Sequence, residues 1–344
     1  MVVTKSPEIL FLKQEDVIAA GVLDMKKTIE DVETVFKMYA AGEIQQPVKT
    51  LMEFPDPVTK DRGRLVVSMP VYLGGKINRA GVKWAAESLE NQRTGQLPYG
   101  IDVVILHDLD AAHPVAIMDG TLITAMRTSA ASGVAAKYLA NPDSKIAGMV
   151  GAGVIGRTAI QTYLEIFPKL EEVRMYDLNR SKSEGLAQEF RDRIEVRVVD
   201  DARQAVEGAD VIATQTTTRK HFLQKEWMKS SNFYAQMGTN EAEEAEILEA
   251  DVLVVDDWGA ISHYTPGYFA QLVNAGKLDA SRILELKNIV SGKTIGRTNP
   301  AQHILFKSMG MGSEDIIVAE RIFQNAKAMG IGQKLKLWDN PLWL

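Results

Sequence analysis

Between Asp24 and Ile44 the apolar positions Ile29, Val32, Val35, Phe36 and Tyr39 recur at steps of three and four, which predicts an amphipathic helix. The rhythm then shortens. PVKTLMEF, RLVVSMPVYL, RAGVKWAAE, DVVILHD and HPVAIMD are β-rich runs separated by Pro, Gly and Asp clusters, and they predict a mixed or antiparallel sheet. From Thr121 to Ala140 small residues at helical spacing predict a connecting helix that stops before Pro142. Beyond it, apolar runs alternate with helical stretches: KIAGMV, EEVRMYD, IEVRVVD, DVIATQT, NFYAQMG and DVLVVDD. Runs without polar alternation are strands buried on both faces, so a parallel, doubly wound sheet is expected over about residues 141–312. In the closing pattern, SEDIIVAERIFQNAKAMGIG, Ile316, Ile317, Ala319, Ile322 and Phe323 share one side behind Ser313 as N-cap. This last helix is expected to pack back onto the N-terminal half. The chain has no internal repeat and no low-complexity tract.

At 344 residues the chain exceeds the usual size of one domain, so two cores are expected. Its hydrophobic fraction of 46% beside 24% charged residues is that of a soluble globular protein. A net charge of −6 argues against a nucleic-acid partner and for a small molecule. The absence of cysteine excludes disulfides, thiolate metal sites and a thiol nucleophile. Neither a signal-peptide core nor a run of about 18 apolar residues occurs, so no membrane partner is expected and a cytoplasmic location is. His107, His113, His221, His263 and His303 lack metal-ligand spacing; no metal is expected and no role is given to them, His107 reading as a surface turn. The acidic run NEAEEAEILEAD reads as a solvated helix face, and GYFAQLV as core packing.

GAGVIG, at residues 151–156, changes the picture. Gly151, Gly153 and Gly156 follow a predicted strand and open a predicted helix, the arrangement in which backbone N–H groups and a helix N-terminus bind pyrophosphate. A purely structural turn in a flavodoxin-like sheet is the alternative. The next strand ends in Asp177, placed to accept hydrogen bonds from the adenosine ribose. Its charge favours NAD over a 2′-phosphorylated dinucleotide, with Arg180 nearby to soften the discrimination. Nicotinamide is preferred to flavin because the second domain is small.

Three cations stand out. Arg127, in TAMRTSA, offers a planar pair of donors suited to a substrate carboxylate, or else makes a structural ion pair. Lys83 and Lys49 each interrupt a mostly apolar strand. Desolvation lowers the pKa of a lysine so placed and suits it to proton exchange, while its charged form binds carboxylates. For Lys49, a solvent-facing strand position is the alternative to carboxylate binding.

The segments AIMDGTLITAMRTSAASGVAAKYLA, GMVGAGVIGRTAIQTYL, VVDDW and MGMGSEDI together resemble the ornithine cyclodeaminase and mu-crystallin family. The resemblance covers most of the chain. It implies an α/β protein in which a Rossmann doubly wound parallel sheet, residues 128–312, is inserted in a mixed α+β substrate and dimerisation domain, residues 1–127 plus 313–344. It further implies a homodimer and NAD as cofactor. The cofactor site is then expected at Gly151, Gly153, Val154, Ile155, Gly156, Asp177, Asn179, Thr128, Thr216 and Gly238, and the substrate at Arg127, Lys83 and Lys49. Family members include cyclodeaminases, alanine dehydrogenases, ketimine reductases and opine-type dehydrogenases, so membership alone does not name a reaction. Within the family, GVKWAAESLENQRTGQLPYGIDVVILHD is most similar to dehydrogenases that oxidatively split a conjugate of an amino acid and glutamate.

The sequence departs from the cyclodeaminases at two positions. Where their pattern calls for a glutamate and an aspartate it has Val67 and Asn240. Asn240 can hydrogen-bond an amine or water but cannot act as a base, which weakens the case for cyclisation with loss of ammonia. An NAD(H)-dependent oxidoreductase at the Cα of an amino or imino acid is therefore expected, with Lys83, Arg127 and Asn240 around the reacting centre. An ornithine cyclodeaminase and a non-catalytic dinucleotide-binding protein are the alternatives.

Overall fold

In the computed structural model, which describes residues 6–56 and 62–339, the chain separates into two compact units. The first takes the described residues up to Asp24, Ala41–Arg127 and those from Met311 onward; the second takes Met25–Ala40 and Thr128–Gly310. One boundary therefore falls inside the helix Thr121–Leu139, between Arg127 and Thr128.

The sheet of the first unit runs in the order Gln333–Lys336, Glu8–Leu12, His113–Asp119, Gly100–Asp108, Arg79–Ser88, Arg62–Leu73, Ile44–Gln45, with Thr50–Pro55 also paired to Arg62–Leu73. Its described pairs are antiparallel except that of Glu8–Leu12 with His113–Asp119. Residues alternate across it as a sheet half in water requires. Leu65, Val67, Met69, Val71 and Leu73 are buried, as are Lys83 and Ala85 on the next strand and Val104 and Leu106 on the one after. Register sets Lys83 beside Met69 on one flank and Val104 on the other.

The helix Gly312–Met329 lies on this buried face, over Arg62–Leu73, Arg79–Ser88 and Gly100–Asp108. Two glycines let it come close. A Cβ at Gly312 would stand 2.8 Å from Val71 Cγ2, and one at Gly81 would stand 2.7 Å from Ile316 Cδ1. The helix begins one residue before Ser313: Met311 is the N-cap residue, and its N–H is accepted by the Glu314 carboxylate at 3.3 Å. Ser313 sits in the first turn, its backbone N–H bonded to the Gln46 side chain. The expected Ser313 cap is thus replaced by an acid two residues inside the helix.

The second unit is a wholly parallel sheet, in the order Glu195–Val198, Glu172–Tyr176, Ile146–Val150, Val211–Thr214, Phe233–Gln236, Ile304–Lys307, Val252–Val255, Ile283–Glu285. The strand order reverses between Ile146–Val150 and Val211–Thr214, and the carboxyl ends of strands at such a point form a nucleotide crevice. The short strand Ile304–Lys307 slots between Phe233–Gln236 and Val252–Val255. Its four residues, all buried, carry no periodic signal that would mark them in the sequence. The helix Met25–Ala40 belongs to this unit, where Glu33 accepts hydrogen bonds from Lys137 and Tyr138. Its apolar stripe announces a buried face but not what covers it.

Candidate functional site

The crevice at the reversal of strand order starts at Val150, where the strand Ile146–Val150 gives way to the glycine loop. Gly151 has φ +107°, a left-handed conformation that excludes ordinary side chains, and its N–H bonds to Tyr176 O at 2.8 Å. Gly153 is the N-cap residue of the helix Val154–Ile166, and a Cβ there would meet nothing within 4 Å. Gly156 is the opposite case, its hypothetical Cβ lying 2.2 Å from Gly151 O. One glycine therefore leaves a cradle open while the other lets helix and loop touch. The first-turn N–H groups of Val154, Ile155 and Gly156 have no carbonyl one turn back and are oriented for an anion. Val154 itself is exposed.

Asp177 directly follows the strand Glu172–Tyr176, with both oxygens already in use. Oδ2 accepts from Ala152 N–H and Oδ1 from Asn179 N–H, each at 2.8 Å. The carboxylate thus braces the loop and keeps further lone pairs that can accept hydrogen bonds. Asn179 caps the helix Arg180–Phe190 through Ser181. Arg180 is tied to Glu184 and Asp200 on the surface.

On the other side of the switch point lie Thr216 and Gly238, held together by a residue that composition disguises. Glu241 is fully buried and accepts from Thr216 N–H (2.7 Å), Thr216 Oγ1 (2.8 Å), Thr214 Oγ1 (2.8 Å) and Gly238 N–H (2.9 Å). Lys307, pulled down to about 8 by burial, donates to the Gly238 carbonyl. The acidic run is therefore only in part a solvated face: Glu249 and Asp251 are exposed, but Glu241 is not. Glu246 is buried too, 2.5 Å from His303 Nε2, with Asn232 Oδ1 on the other ring nitrogen. Asn240 has its amide fixed by backbone at both ends: Oδ1 accepts from Tyr268 N–H at 3.1 Å and Nδ2 donates to Pro266 O at 3.3 Å. An aspartate could not make the second bond. Thr128 is half-buried one residue after the unit boundary. Of GYFAQLV, Phe269 and Leu272 are core, while Tyr268 stacks on His221.

The first unit holds a buried cluster of charge. Lys83 and Arg127 are 2% and 5% exposed. Lys83 Nζ donates to Asp315 Oδ1 at 3.1 Å and to Thr124 Oγ1 at 3.2 Å. Arg127 Nε donates to Asp315 Oδ1 at 3.0 Å and its Nη1 to Glu314 Oε2 at 2.9 Å. Thr124 Oγ1 in turn donates to Asp102 Oδ2 at 2.5 Å. Burial, with Arg127 beside it, lowers the Lys83 pKa, and burial raises that of Asp102. Arg127 moves upward: its acids Asp315 and Glu314 outweigh a burial cost that acts the other way. The ion pair that the sequence left as an alternative for Arg127 is present, and it leaves Nη2 as the guanidinium donor outside these bonds.

The structure brings Lys83 and Arg127 together but not in the way expected for Lys49, which precedes the strand Thr50–Pro55 and is half-buried rather than set in an apolar strand. Val67 packs against Leu65, Met69 and Ala85. Asp102, Thr124, Glu314 and Asp315 were not singled out in the sequence. The signal was there in SED, two acids opening a helix whose next residues are all apolar, a place where a buried cation is their natural partner. Among the described residues no group of three or more His, Cys, Asp or Glu could hold a metal, and no helix is long and apolar enough to cross a membrane.

The N-((2S)-2-amino-2-carboxyethyl)-L-glutamate dehydrogenase of Staphylococcus aureus is 30% identical over 96% of this chain and 99% of its own. The structure of the Thermococcus litoralis Δ1-pyrroline-2-carboxylate reductase in complex with NADH and L-proline superposes with a TM-score of 0.87, at 33% identity over 95% of this chain and all of that one. An archaeal alanine dehydrogenase dimer with bound NAD gives 0.84, at 28% identity over 96% of this chain and 100% of its own. A family model matches residues 8–330, and with it the glycine crevice and the buried cation cluster find their place: the chain belongs to the ornithine cyclodeaminase/mu-crystallin family.

Proposed function

We propose that the buried Arg127 and Lys83 of the first unit receive the α-carboxylate and nitrogen of an amino or imino acid, on a chain that is an NAD(H)-dependent oxidoreductase of the CH–NH bond. The observation that carries this reading is the Lys83–Arg127 pair, two desolvated cations, one on a sheet face otherwise lined by Val67, Met69 and Ala85 and one on the helix Thr121–Leu139, both oriented by acids of the helix Gly312–Met329. The crevice fits NAD: Gly153 leaves an open cradle at a helix N-terminus, and Asp177 sets a negative charge where a 2′-phosphate would otherwise sit. When bound, NAD(H) takes or gives the hydride at the substrate Cα. Arg127 Nη2 then clamps the carboxylate, with Lys49 as a further cation, and so fixes the Cα in position. Lys83 holds or releases the proton at the substrate nitrogen, a role its lowered pKa suits.

Two observations count against ring closure with loss of ammonia. Val67 offers no base, and the amide of Asn240 is spent on Tyr268 and Pro266. NADH oxidation across a panel of 2-oxo acids crossed with ammonia, methylamine, alanine and 2,3-diaminopropionate tests the proposal. Turnover with a matched pair is expected; proline formed from ornithine without net NADH change would replace it with the cyclodeaminase reading.

The partner proposed is a second copy. Opposite the Lys83 face, register lines up Met52, Val66, Ala86 and Ile101 in one row and Trp84 with Val103 in the next, with Met52, Trp84, Ile101 and Val103 all exposed. An apolar sheet face of this kind marks an interface. Light scattering behind size exclusion is expected to give twice the mass of one chain, and Trp84→Glu to give one.

A further inference from the structure

Lys83, Thr124 and Asp102 form a continuous donor chain: Nζ of the lysine donates to the threonine hydroxyl, which donates to Oδ2 of the aspartate. We infer that this chain is a proton relay, with Asp102 as the store that lets Lys83 act twice in one turnover. The inference rests on the proposed role of Lys83 as the group that exchanges a proton with the substrate nitrogen.

Three features support it. Asp102 is held rigidly: its N–H bonds to Thr121 Oγ1 at 3.1 Å, its carbonyl accepts from Gly120 N–H at 2.8 Å, and it is 5% exposed. Thr124 sits between the two titrating groups, its hydroxyl able to give one proton while taking another. Finally, burial lowers Lys83 and raises Asp102. In water about 6.5 pKa units separate a lysine from an aspartate, and the charged pair wins. In this site both shifts act in the same direction, because transfer of the proton converts two buried charges into two neutral groups. The remaining charges facing the chain are Arg127 from the same helix as Thr124, and Asp315 and Glu314 from the helix Gly312–Met329.

The step balances. In the oxidative direction the substrate ammonium N–H breaks and an N–H forms on neutral Lys83. A Lys83 N–H then breaks as an O–H forms on Thr124, whose own O–H proton passes to the Asp102 carboxylate. Lys83 is neutral again and available for the second proton, released when water adds to the iminium ion that hydride departure leaves, and both stored protons pass to solvent before the next turnover. Reduction runs the same transfers backward.

The test uses the full chain and the 2-oxo acid and amine pair that gives turnover. Thr124→Val removes the hydroxyl with little change of shape, Thr124→Ser restores it, and Asp102→Asn removes the store. Thr124→Val and Asp102→Asn are expected to lower kcat about 10- to 100-fold with KM changed less than about threefold. Thr124→Ser should return to within about threefold of the parent, and the double variant should be no slower than either single one. NADH titration and thermal melting check the fold of each. Independently of turnover, infrared difference spectra of the unliganded protein against Asp102→Asn should show a protonated carboxyl band that persists above the usual aspartate range and is lost at the higher pH where oxidation starts from the Asp102 carboxylate.

Undiminished kcat in Thr124→Val, a loss confined to KM, or additive losses in the double variant overturn the relay. Lys83→Met separates the two proposals: if it is inactive while Thr124→Val is not, only the relay fails, whereas an active Lys83→Met removes the role of Lys83 itself.

Discussion

Arg127 is held by two acids, so its replacement must keep the charge if the unit is to fold. Arg127→Lys leaves a cation for Glu314 and Asp315 but loses the planar fork. It is expected to lower kcat/KM for the carboxylate substrate about 10- to 100-fold, some 1.4–2.7 kcal/mol, with NADH affinity unchanged in fluorescence titrations. Lys83 is best tested by pH. In the proposed role its neutral form is the base in oxidation, and burial with Arg127 lowers its pKa, so oxidative kcat should rise with pH and level off before the ordinary lysine range. Lys83→Arg, which keeps its proton throughout, should abolish that limb of the profile. Both cations were legible in the sequence because each breaks an apolar context. Their acids were not, since Glu and Asp at the start of a helix read equally well as ordinary surface residues.

At the level of elements, the glycine loop gives two contrasting expectations. Gly156→Ala drives a methyl into the Gly151 carbonyl, so the helix Val154–Ile166 must back away, and thermal unfolding should show a loss of about 1–3 kcal/mol. Gly153→Ala meets open space at φ −80°, so stability should stay within about 0.5 kcal/mol. The new methyl would instead occupy the cradle, and the NADH Kd should weaken about tenfold or more. Strand, loop, helix and acid were all readable here because each leaves a local mark. The strand Ile304–Lys307 is as apolar as those that were read, but it follows a long loop instead of a helical stretch and so falls outside the alternation, while Ile283–Glu285 is three residues long. Glu241 was misread for a related reason: a carboxylate that satisfies four donors looks, in sequence, like one more acid in an acidic run.

For the molecule as a whole, the sequence announces two cores and a parallel sheet but not that Met25–Ala40 joins the second unit. That placement makes Glu33 a stability determinant. Burial alone would raise its pKa, but hydrogen bonds from Lys137, Lys37 and Tyr138 prevail and hold it at about 2. A carboxylate with a depressed folded pKa contributes stability above about pH 4.5 and loses it as pH falls toward 2. Glu33→Gln should therefore cost about 1–2 kcal/mol at pH 7, a figure kept modest because both lysines are half in water. Urea-unfolding midpoints of variant and parent should converge as the solution is acidified below pH 4.5. The unit that opens the chain also needs its last described segments, the helix Gly312–Met329 and the strand Gln333–Lys336. A ribosome making this protein therefore completes the second unit first, and Lys83 and Arg127 stay wet and uncompensated until Glu314 and Asp315 leave the exit tunnel.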